Sequence, residues 1–404
     1  MPGPHTFTGE DLAELHIHGG QAVINAVLYA IGRVPKTRLA EPGEFTRRSF
    51  LNGKIDLTEA EGIADVIHAE TEAQRRQAFR QMDGDLRRKF SDFRERLMTA
   101  RAHLEAFIDF SEEEHLEPDI LNKVKRAVKS VQVDLKECLT DNRRGERLRN
   151  GVHVTIVGEP NVGKSSLLNA ICQKPTAIVS PIAGTTRDVV ESAFDLGGYP
   201  VLLSDTAGLR ETEDVIESEG VRRAVSRAVS SDLIVLVLDA DQFTHVAPSS
   251  LDNPDSFIRS RLASFGIQPV ENQRVTLLVN KIDLVPDEVA QQWRTSLPKE
   301  FIFLSCTTNT GMRECIGKLT GMVEELCGNP LVGEASLTQH RHRSNLEACA
   351  ERLGRFQELL DSAEDVTLAT HEIQQALRFL GKVTGHVYVE EVLDVIFRDF
   401  CIGK

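Results

Sequence analysis

One run constrains this chain more than any other: Gly158-Glu159-Pro160-Asn161-Val162-Gly163-Lys164-Ser165. It follows the apolar, β-branched stretch Val152 to Val157, which reads as a short buried strand. It precedes Ser166-Leu167-Leu168-Asn169-Ala170-Ile171, which reads as the first turns of a helix. Strand, G-x-x-x-x-G-K-S, helix is the context in which this spacing makes a phosphate-binding loop. Its glycines let backbone N–H groups converge on a phosphate, and the helix N-terminus adds its positive end. Lys164 would then reach the β- and γ-phosphates, and the Ser165 hydroxyl would hold Mg²⁺.

Two later stretches decide base and reaction. Ser204-Asp205-Thr206-Ala207-Gly208 follows the apolar run Val201-Leu202-Leu203. An Asp at a strand end followed by a Gly loop is where such proteins place a metal-side carboxylate and a γ-phosphate N–H. Asn280-Lys281-Ile282-Asp283 ends a further strand, Val275 to Val279. A carboxylate such as Asp283, accepting from two guanine N–H groups, rejects adenine, which lacks that donor pair. Alone, N-K-x-D reads equally well as a surface turn. Third in order after the other two motifs, it makes the nucleotide GTP rather than ATP. Ser305-Cys306-Thr307 is expected as the last base-contacting loop, with Cys where Ala is commoner.

The chain has 404 residues, enough for two or three domains with sizeable cores. Hydrophobic residues make up 41%, which excludes a disordered chain. No apolar run reaches the length of a membrane span. The seven cysteines are scattered without a C-x-x-C pair, against a disulfide framework or zinc site and for a reducing compartment. A net charge of −14 argues against indiscriminate nucleic-acid binding, not against an RNA reached through a local basic patch.

In chain order, residues 1–68 read as a small α/β segment. Leu12 to Ile17 is expected as a strand, with His16 and His18 alternating onto one face; two such imidazoles could bind a metal, but no third ligand is near, and ordinary hydrogen-bonded histidines are expected. Gly19-Gly20 turns it into a helix over Ala22 to Ile31. Pro42-Gly43 opens a helix holding Thr46 to Leu51, and Leu57-Thr58-Glu59 begins a third. Glu14 and Lys54, on Gly-rich turns, could form a small anionic-ligand site or be solvated turn charges. Residues 69–150 read as two long helices. In the first, Ala78, Leu86, Phe90, Phe93, Leu97 and Leu104 form the buried stripe. Arg75, Arg76, Arg80, Arg87, Arg88 and Lys89 lie outward, as an RNA-phosphate face or a solvated one. The second helix runs from about Ile120 to Leu148. Residues 151–335 alternate strand and helix in the doubly wound α/β pattern. Residues 336–404 are helical again, with stripes Leu346, Cys349, Leu353, Phe356, Leu360 and Val392, Leu393, Ile396, Phe397, Phe400. The economical fold is an α/β P-loop domain inserted into one helical bundle.

How GTP would be cleaved is less direct. Leu209 stands where many small GTPases carry a water-orienting Gln. Glu217, within the acidic stretch Glu211 to Glu219, could serve as base or orienter, or be a solvated loop charge. Ser180 to Asp188 contains two threonines, Thr185 and Thr186, for Mg²⁺ and the γ-phosphate. Asn161 could place an amide oxygen on a cation beside the phosphates, doing the work of an arginine finger. The tail Cys401-Ile402-Gly403-Lys404 directly follows the last helix.

These motifs together resemble the MnmE/TrmE family of tRNA-modifying GTPases. The resemblance is carried by Glu159 to Asn169, Gly184-Thr185-Thr186-Arg187-Asp188, Asp205 to Glu211 and Cys401-Ile402-Gly403-Lys404. Phe7-Thr8-Gly9-Glu10-Asp11, His18-Gly19-Gly20 and Pro42 to Thr46 match its folate-binding N-terminal domain. It implies nucleotide contacts from Asn161, Val162, Gly163, Lys164, Ser165, Ser166, Ser180, Thr185, Thr186, Asp205, Thr206, Ala207, Gly208, Asn280, Lys281 and Asp283. It implies K⁺ held by Asn161, Ser180, Ile182 and Thr185, and Mg²⁺ held by Ser165 and Thr186. Glu217 matches the catalytic glutamate, beside Lys164, and Cys401 is kept as a chemical candidate. Glu14, Lys54 and Lys404 match contacts to a folate, 5,10-methylenetetrahydrofolate in a 5-formyltetrahydrofolate-like site. The implied partners are tRNA, an MnmG-type protein carrying FAD, and a second copy, paired through the GTPase and N-terminal domains. The implied reaction modifies C5 of the wobble uridine, of taurinomethyluridine type in mitochondria, where Ser180-Pro181 and Ser305-Cys306 place the resemblance. Family members begin upstream of Met1 with further strands, a folate contact and, in mitochondria, a transit peptide, so an N-terminally truncated form is expected. Residues 1–68 then correspond to a partial folate-binding domain, 69–150 and 336–404 to the two parts of the helical domain, and 151–335 to the GTPase domain. A ribosome-assembly GTPase with RNA-binding arms is the competing class. The absence of a G-x-x-G RNA-binding loop after residue 330 weighs against it.

Overall fold

The computed structural model describes residues 1–110, 120–172, 191–205, 225–246, 253–270, 272–298, 301–332, 335–362, 365–387, 390–398 and 400. The chain divides into two compact units, one of residues 1–69, 76–140 and 339–404, the other of residues 70–75 and 141–338.

The first unit is helical. After α1 (Gln21–Gly32) come α2 (Glu44–Leu51), α3 (Leu57–His68) and α4 (Glu72–Met82). Asp56 caps α3: its side chain accepts from Glu59 N–H while the Glu59 carboxylate accepts from Asp56 N–H, a reciprocal capping box. The long amphipathic stretch is two helices, α4 and α5 (Asp85–Phe110), because Gly84 between them adopts φ +85, outside helical geometry. The second predicted helix is likewise divided, into α6 (Ile120–Leu139) of this unit and α7 (Arg144–Asn150) of the second, with Asn142 and Arg143 at positive φ between them.

The stripes on α5 and α6 are buried, as are those on α13 (His340–Asp361) and α14 (Val366–Thr384). α5 packs on α6 and α14, and α13 packs on α6 and α14, closing a four-helix bundle. Phe50 of α2 joins Leu57 and Ala60 of α3 with Leu393 and Phe397 of α15 (Glu390–Arg398) and Phe400 in a smaller core. Within α15 Val392 is exposed instead of buried.

The predicted strand Leu12 to Ile17 does not form: residues 11–20 carry no regular structure. A strand is made by its ladder; Leu12 exchanges backbone hydrogen bonds with Met1, and among the described residues no strand pairs with the rest of the segment. His16 and His18 are exposed, and none of the residues of α1 is buried.

The second unit is a six-stranded sheet in the order β2-β3-β1-β4-β5-β6. The strands are β1 (Val152–Val157), β2 (Glu191–Leu196), β3 (Tyr199–Asp205), β4 (Leu233–Asp239), β5 (Arg274–Asn280) and β6 (Phe301–Phe303). All neighbours are parallel except the β2–β3 hairpin, turned by Gly197-Gly198. Both faces are covered, which is why β4 reads as a near-continuous apolar run and β1 and β5 as mostly apolar ones. Alternate residues serve opposite cores. Val154, Ile156, Val235 and Leu278 face α8 (Lys164–Cys172) and α12 (Met312–Cys327). Ile234, Leu236, Leu277 and Val279 face α9 (Ala240–Thr244), α10 (Pro254–Ser264) and Trp293 of α11 (Asp287–Ser296).

Candidate functional site

Chain order reverses around β1, with β3 on one side and β4 on the other. In parallel α/β sheets the crevice for ligands opens at such a point, beyond the C-terminal strand ends. Asp205 ends β3, Val157 leads from β1 into the glycine loop, Asp239 ends β4 and Asn280 ends β5. The described parts of the predicted motifs therefore lie together at the C-terminal ends of the central strands.

The loop's glycines are required by space as well as by conformation. A Cβ on Gly158 would lie 2.4 Å from the Val237 carbonyl oxygen. Gly163 has φ +98, and a Cβ there would lie 2.2 Å from Asn280 Nδ2. Asn161 is exposed at φ 62, in the left-handed region that Asn tolerates better than most residues. Lys164 opens α8, and its ammonium donates to the carbonyls of Gly158 at 2.8 Å and Glu159 at 2.7 Å. The loop thus folds back around its own lysine. Val162 and Leu167 are buried and anchor the loop and the first helical turn, while Ser165 and Ser166 are exposed there.

Asn280 is buried and joins two loops. Its amide donates to the Val162 carbonyl at 2.9 Å, and its Oδ1 accepts from Cys306 N–H at 3.2 Å. Lys281, at φ 64, places its ammonium 2.7 Å from Asp239 Oδ2. Asp283 is exposed in the short helical turn Ile282–Leu284. Ser305 is fully buried; its N–H donates to the Thr310 carbonyl and its Oγ accepts from Thr308 N–H. Burial, helped by the Asp283 charge and opposed by the Asn280 hydrogen bond, pushes the Cys306 thiol up to about 11. It is protonated at neutral pH.

These residues fit a nucleoside triphosphate with Mg²⁺. Two glycines stand where any side chain would collide with neighbouring atoms, the loop's lysine is held by two of the loop's carbonyls, and Ser165 is an exposed residue at the first helical turn. The side chains of Asp239, Gln242 and Glu159 also meet here, which the motifs alone did not indicate. The signal available in sequence was an Asp closing an apolar strand before a short helix, which reads as an N-cap and nothing more.

Ser180, Ile182, Thr185, Thr186, Thr206, Ala207, Gly208, Glu217, Cys401 and Lys404 lie outside the described residues. The backbone of Asp205 ends β3, and its side chain is likewise outside them. Glu14 is exposed, its carboxylate 3.6 Å from His16 Nε2. Lys54 is also exposed and donates to the Pro4 carbonyl at 2.9 Å. No hydrogen bond or ion pair joins Glu14 to Lys54. Of the arginines read as an outward face, Arg75 pairs with Glu72, Arg80 and Arg88 with Asp85, and Arg87 with Glu59. No described helix is long and apolar enough to cross a membrane.

Comparison with known proteins gives a consistent result over the whole chain. The model of the MnmE helical domain matches residues 57–401, and that of the GTP-binding protein TrmE N-terminus matches residues 1–54. The chain is 52% identical to the mitochondrial 5-taurinomethyluridine-tRNA synthase subunit GTPB3 of Danio rerio, over 100% of this chain and 81% of that one. It is 47% identical to the protein of the same description from Homo sapiens, over 100% of this chain and 80% of that one. Against the tRNA modification GTPase MnmE of Parvibaculum lavamentivorans it is 46% identical, over 100% of this chain and 85% of that one.

Proposed function

This chain belongs to the MnmE/TrmE family, and from that premise we propose that it is a GTPase of mitochondrial tRNA wobble-uridine modification. The observation that carries the nucleotide part is the hydrogen bond that joins the glycine loop to Asn280, the residue before Lys281, beyond the C-terminal strand ends. Lys164 and the loop N–H groups would hold the phosphates, Ser165 and Thr186 a Mg²⁺, and Asp283 the guanine edge. Bound Mg²⁺ would neutralise charge developing between the β- and γ-phosphates. Leu209 has no group to orient water, so we assign that role to Glu217. The exposed amide of Asn161 supplies an oxygen for K⁺, together with Ser180, Ile182 and Thr185.

We assign tRNA as the substrate, an FAD-carrying MnmG-type protein as the partner, and a folate one-carbon unit as the donor. Glu14, Lys54 and Lys404 are its proposed contacts, and Cys401 a candidate for chemistry on the uridine. Pairing of two copies through their GTPase domains would set Glu217 in place. Similarity to mitochondrial relatives supports a mitochondrial location.

Two measurements test this reading. Hydrolysis of GTP should be several-fold faster in KCl than in NaCl, and Asn161→Ala should lose that difference while still binding GTP; equal wild-type rates in the two salts would remove the cation. Glu217→Ala should lower kcat about 100-fold with nucleotide affinity kept. The tRNA reading stands on mass spectrometry of nucleosides from cells lacking the protein. Undiminished wobble-uridine modification there would sink it. Deleting residues 401–404 should abolish modification in a strain relying on the deleted protein, and leave GTP hydrolysis near normal.

A further inference from the structure

A short turn at the end of β4 touches the nucleotide cradle on two sides. Asp239, the last residue of β4, lies in register beside Asn280, the last residue of β5. Its carboxylate is divided between two tasks. Oδ1 caps α9 by accepting from Asp241 N–H at 3.0 Å, and Oδ2 accepts from the Lys281 ammonium at 2.7 Å. One turn on, Gln242 Nε2 donates to Glu159 Oε2, inside the glycine loop, at 2.6 Å.

The turn has a firm base. Ala240 and Phe243 are buried. The Phe243 ring meets Trp293 at 5.1 Å edge-on, and the rings of Phe257, Phe301 and Phe303 at 5.9–6.4 Å. Interlocked aromatic packing of this kind allows little movement without opening a cavity. Asp239 and Gln242 flank this anchor, so their carboxylate and amide are held in place from beneath.

Lys281 needs such a hold. It occupies the left-handed region, which costs a non-glycine residue conformational energy, and its long side chain has many rotamers. The ion pair is partly shielded, with Asp239 at 16% and Lys281 at 32% side-chain exposure, so it is screened less than a surface pair. A charge-assisted contact there selects one rotamer before any ligand arrives.

We propose that the Asp239–Thr244 turn is a brace for the nucleotide grip, with Asp239 and Gln242 as positioning residues for Lys281 and Glu159. The proposal rests on the reading of this site as a guanine-nucleotide site. It assigns neither residue to the chemistry.

The test is stopped-flow dissociation of a fluorescent GDP, mant-GDP, from the full-length protein. Asp239→Asn keeps an oxygen to cap Asp241 and loses the charge; its off-rate should rise about tenfold, with KM for GTP rising and kcat within twofold. Gln242→Leu, at an exposed side chain, should raise the off-rate about threefold. In a Lys281→Met background the Asp239→Asn change should have little further effect, since both remove one contact. Unchanged melting followed by Trp293 fluorescence separates positioning from loss of fold. Off-rates of both variants within twofold of wild type would overturn the brace, as would an Asp239→Asn effect that persists in full without Lys281. If Asp239→Asn does not fold, Gln242→Leu alone decides. Failure of the wild type itself to bind mant-GDP would instead sink the nucleotide reading on which the brace depends.

Discussion

Single residues in the cradle are specified by contact distances that leave no room. Gly163 is the sharpest case, since a Cβ would collide with Asn280 Nδ2 at 2.2 Å on a backbone already at φ +98. Asn280 cannot yield, because the same amide holds the Val162 carbonyl. Gly163→Ala should therefore weaken nucleotide binding by roughly a hundredfold, from overpacking plus backbone strain of about 3 kcal/mol. Calorimetric titration with GDP checks this, and an affinity within threefold of wild type would refute it. The glycine was legible in the motif. The reason it must be glycine was not, because Asn280 lies more than a hundred residues further along the chain, with |i−j| of 118 between it and Val162.

Among the elements, α3 carries a pH response in its cap. Asp56 is buried, with Oδ1 accepting from Thr58 Oγ1 and Glu59 N–H and Oδ2 without a hydrogen-bond partner. Burial pushes its carboxyl up to about 6, against the pull of the Glu59 N–H and Thr58 hydrogen bonds. A carboxyl raised above its ordinary 3.8 holds its proton more tightly in the folded state, so native stability is fullest below about 4 and declines as pH rises to about 6. Asp56→Asn keeps a capping oxygen and removes that titration. Its unfolding free energy relative to wild type should improve by about 2 kcal/mol between pH 4 and pH 7. A difference that is flat with pH, in urea unfolding at the two values, would disprove the assignment. The boundaries of α4 and α6 teach a related lesson. Apolar periodicity runs through the first break, from Met82 to Leu86, while Thr140 to Arg147 carries no apolar side chain; the helix ends fall where Gly84, Asn142 and Arg143 take positive φ.

At the scale of the whole chain, one charge cluster that ties distant segments together lies within the first unit. Glu61 of α3 accepts from Arg341 Nε at 2.6 Å and lies 2.7 Å from His342 Nε2, both at the start of α13. Burial alone would raise the Glu61 carboxyl. The charges of Arg341 and His342 outweigh it and hold the carboxyl at about 2. A carboxyl held below its ordinary 4.5 adds stability that is complete above that value and lost as pH falls toward 2. Glu61→Gln should cost about 3–5 kcal/mol at pH 7, by leaving half-buried Arg341 and buried His342 without their counter-charge. It should also flatten the loss of stability on acidification. A cost under about 1 kcal/mol in denaturant unfolding would show that the cluster contributes little to stability.

By itself the sequence determined whatever depends on neighbours in the chain. The glycine loop, the strand before it and the helix after it could be read because a phosphate grip is built from consecutive backbone N–H groups. The alternating strands and apolar helix stripes could be read because burial on a regular element repeats with its period. Tertiary structure alone decided what depends on distant partners. Leu12 to Ile17 has the composition of a strand and no ladder among the described residues, and a strand without a ladder leaves its backbone groups to other partners. Glu61 reads as one more helix acid until folding sets it against His342, 281 residues away. Asp239 reads as a helix cap until parallel pairing of β4 with β5 brings it beside Lys281. For Glu61 and Asp239 the energy comes from two groups meeting shielded or partly shielded from water, and which two meet is a property of the packed chain.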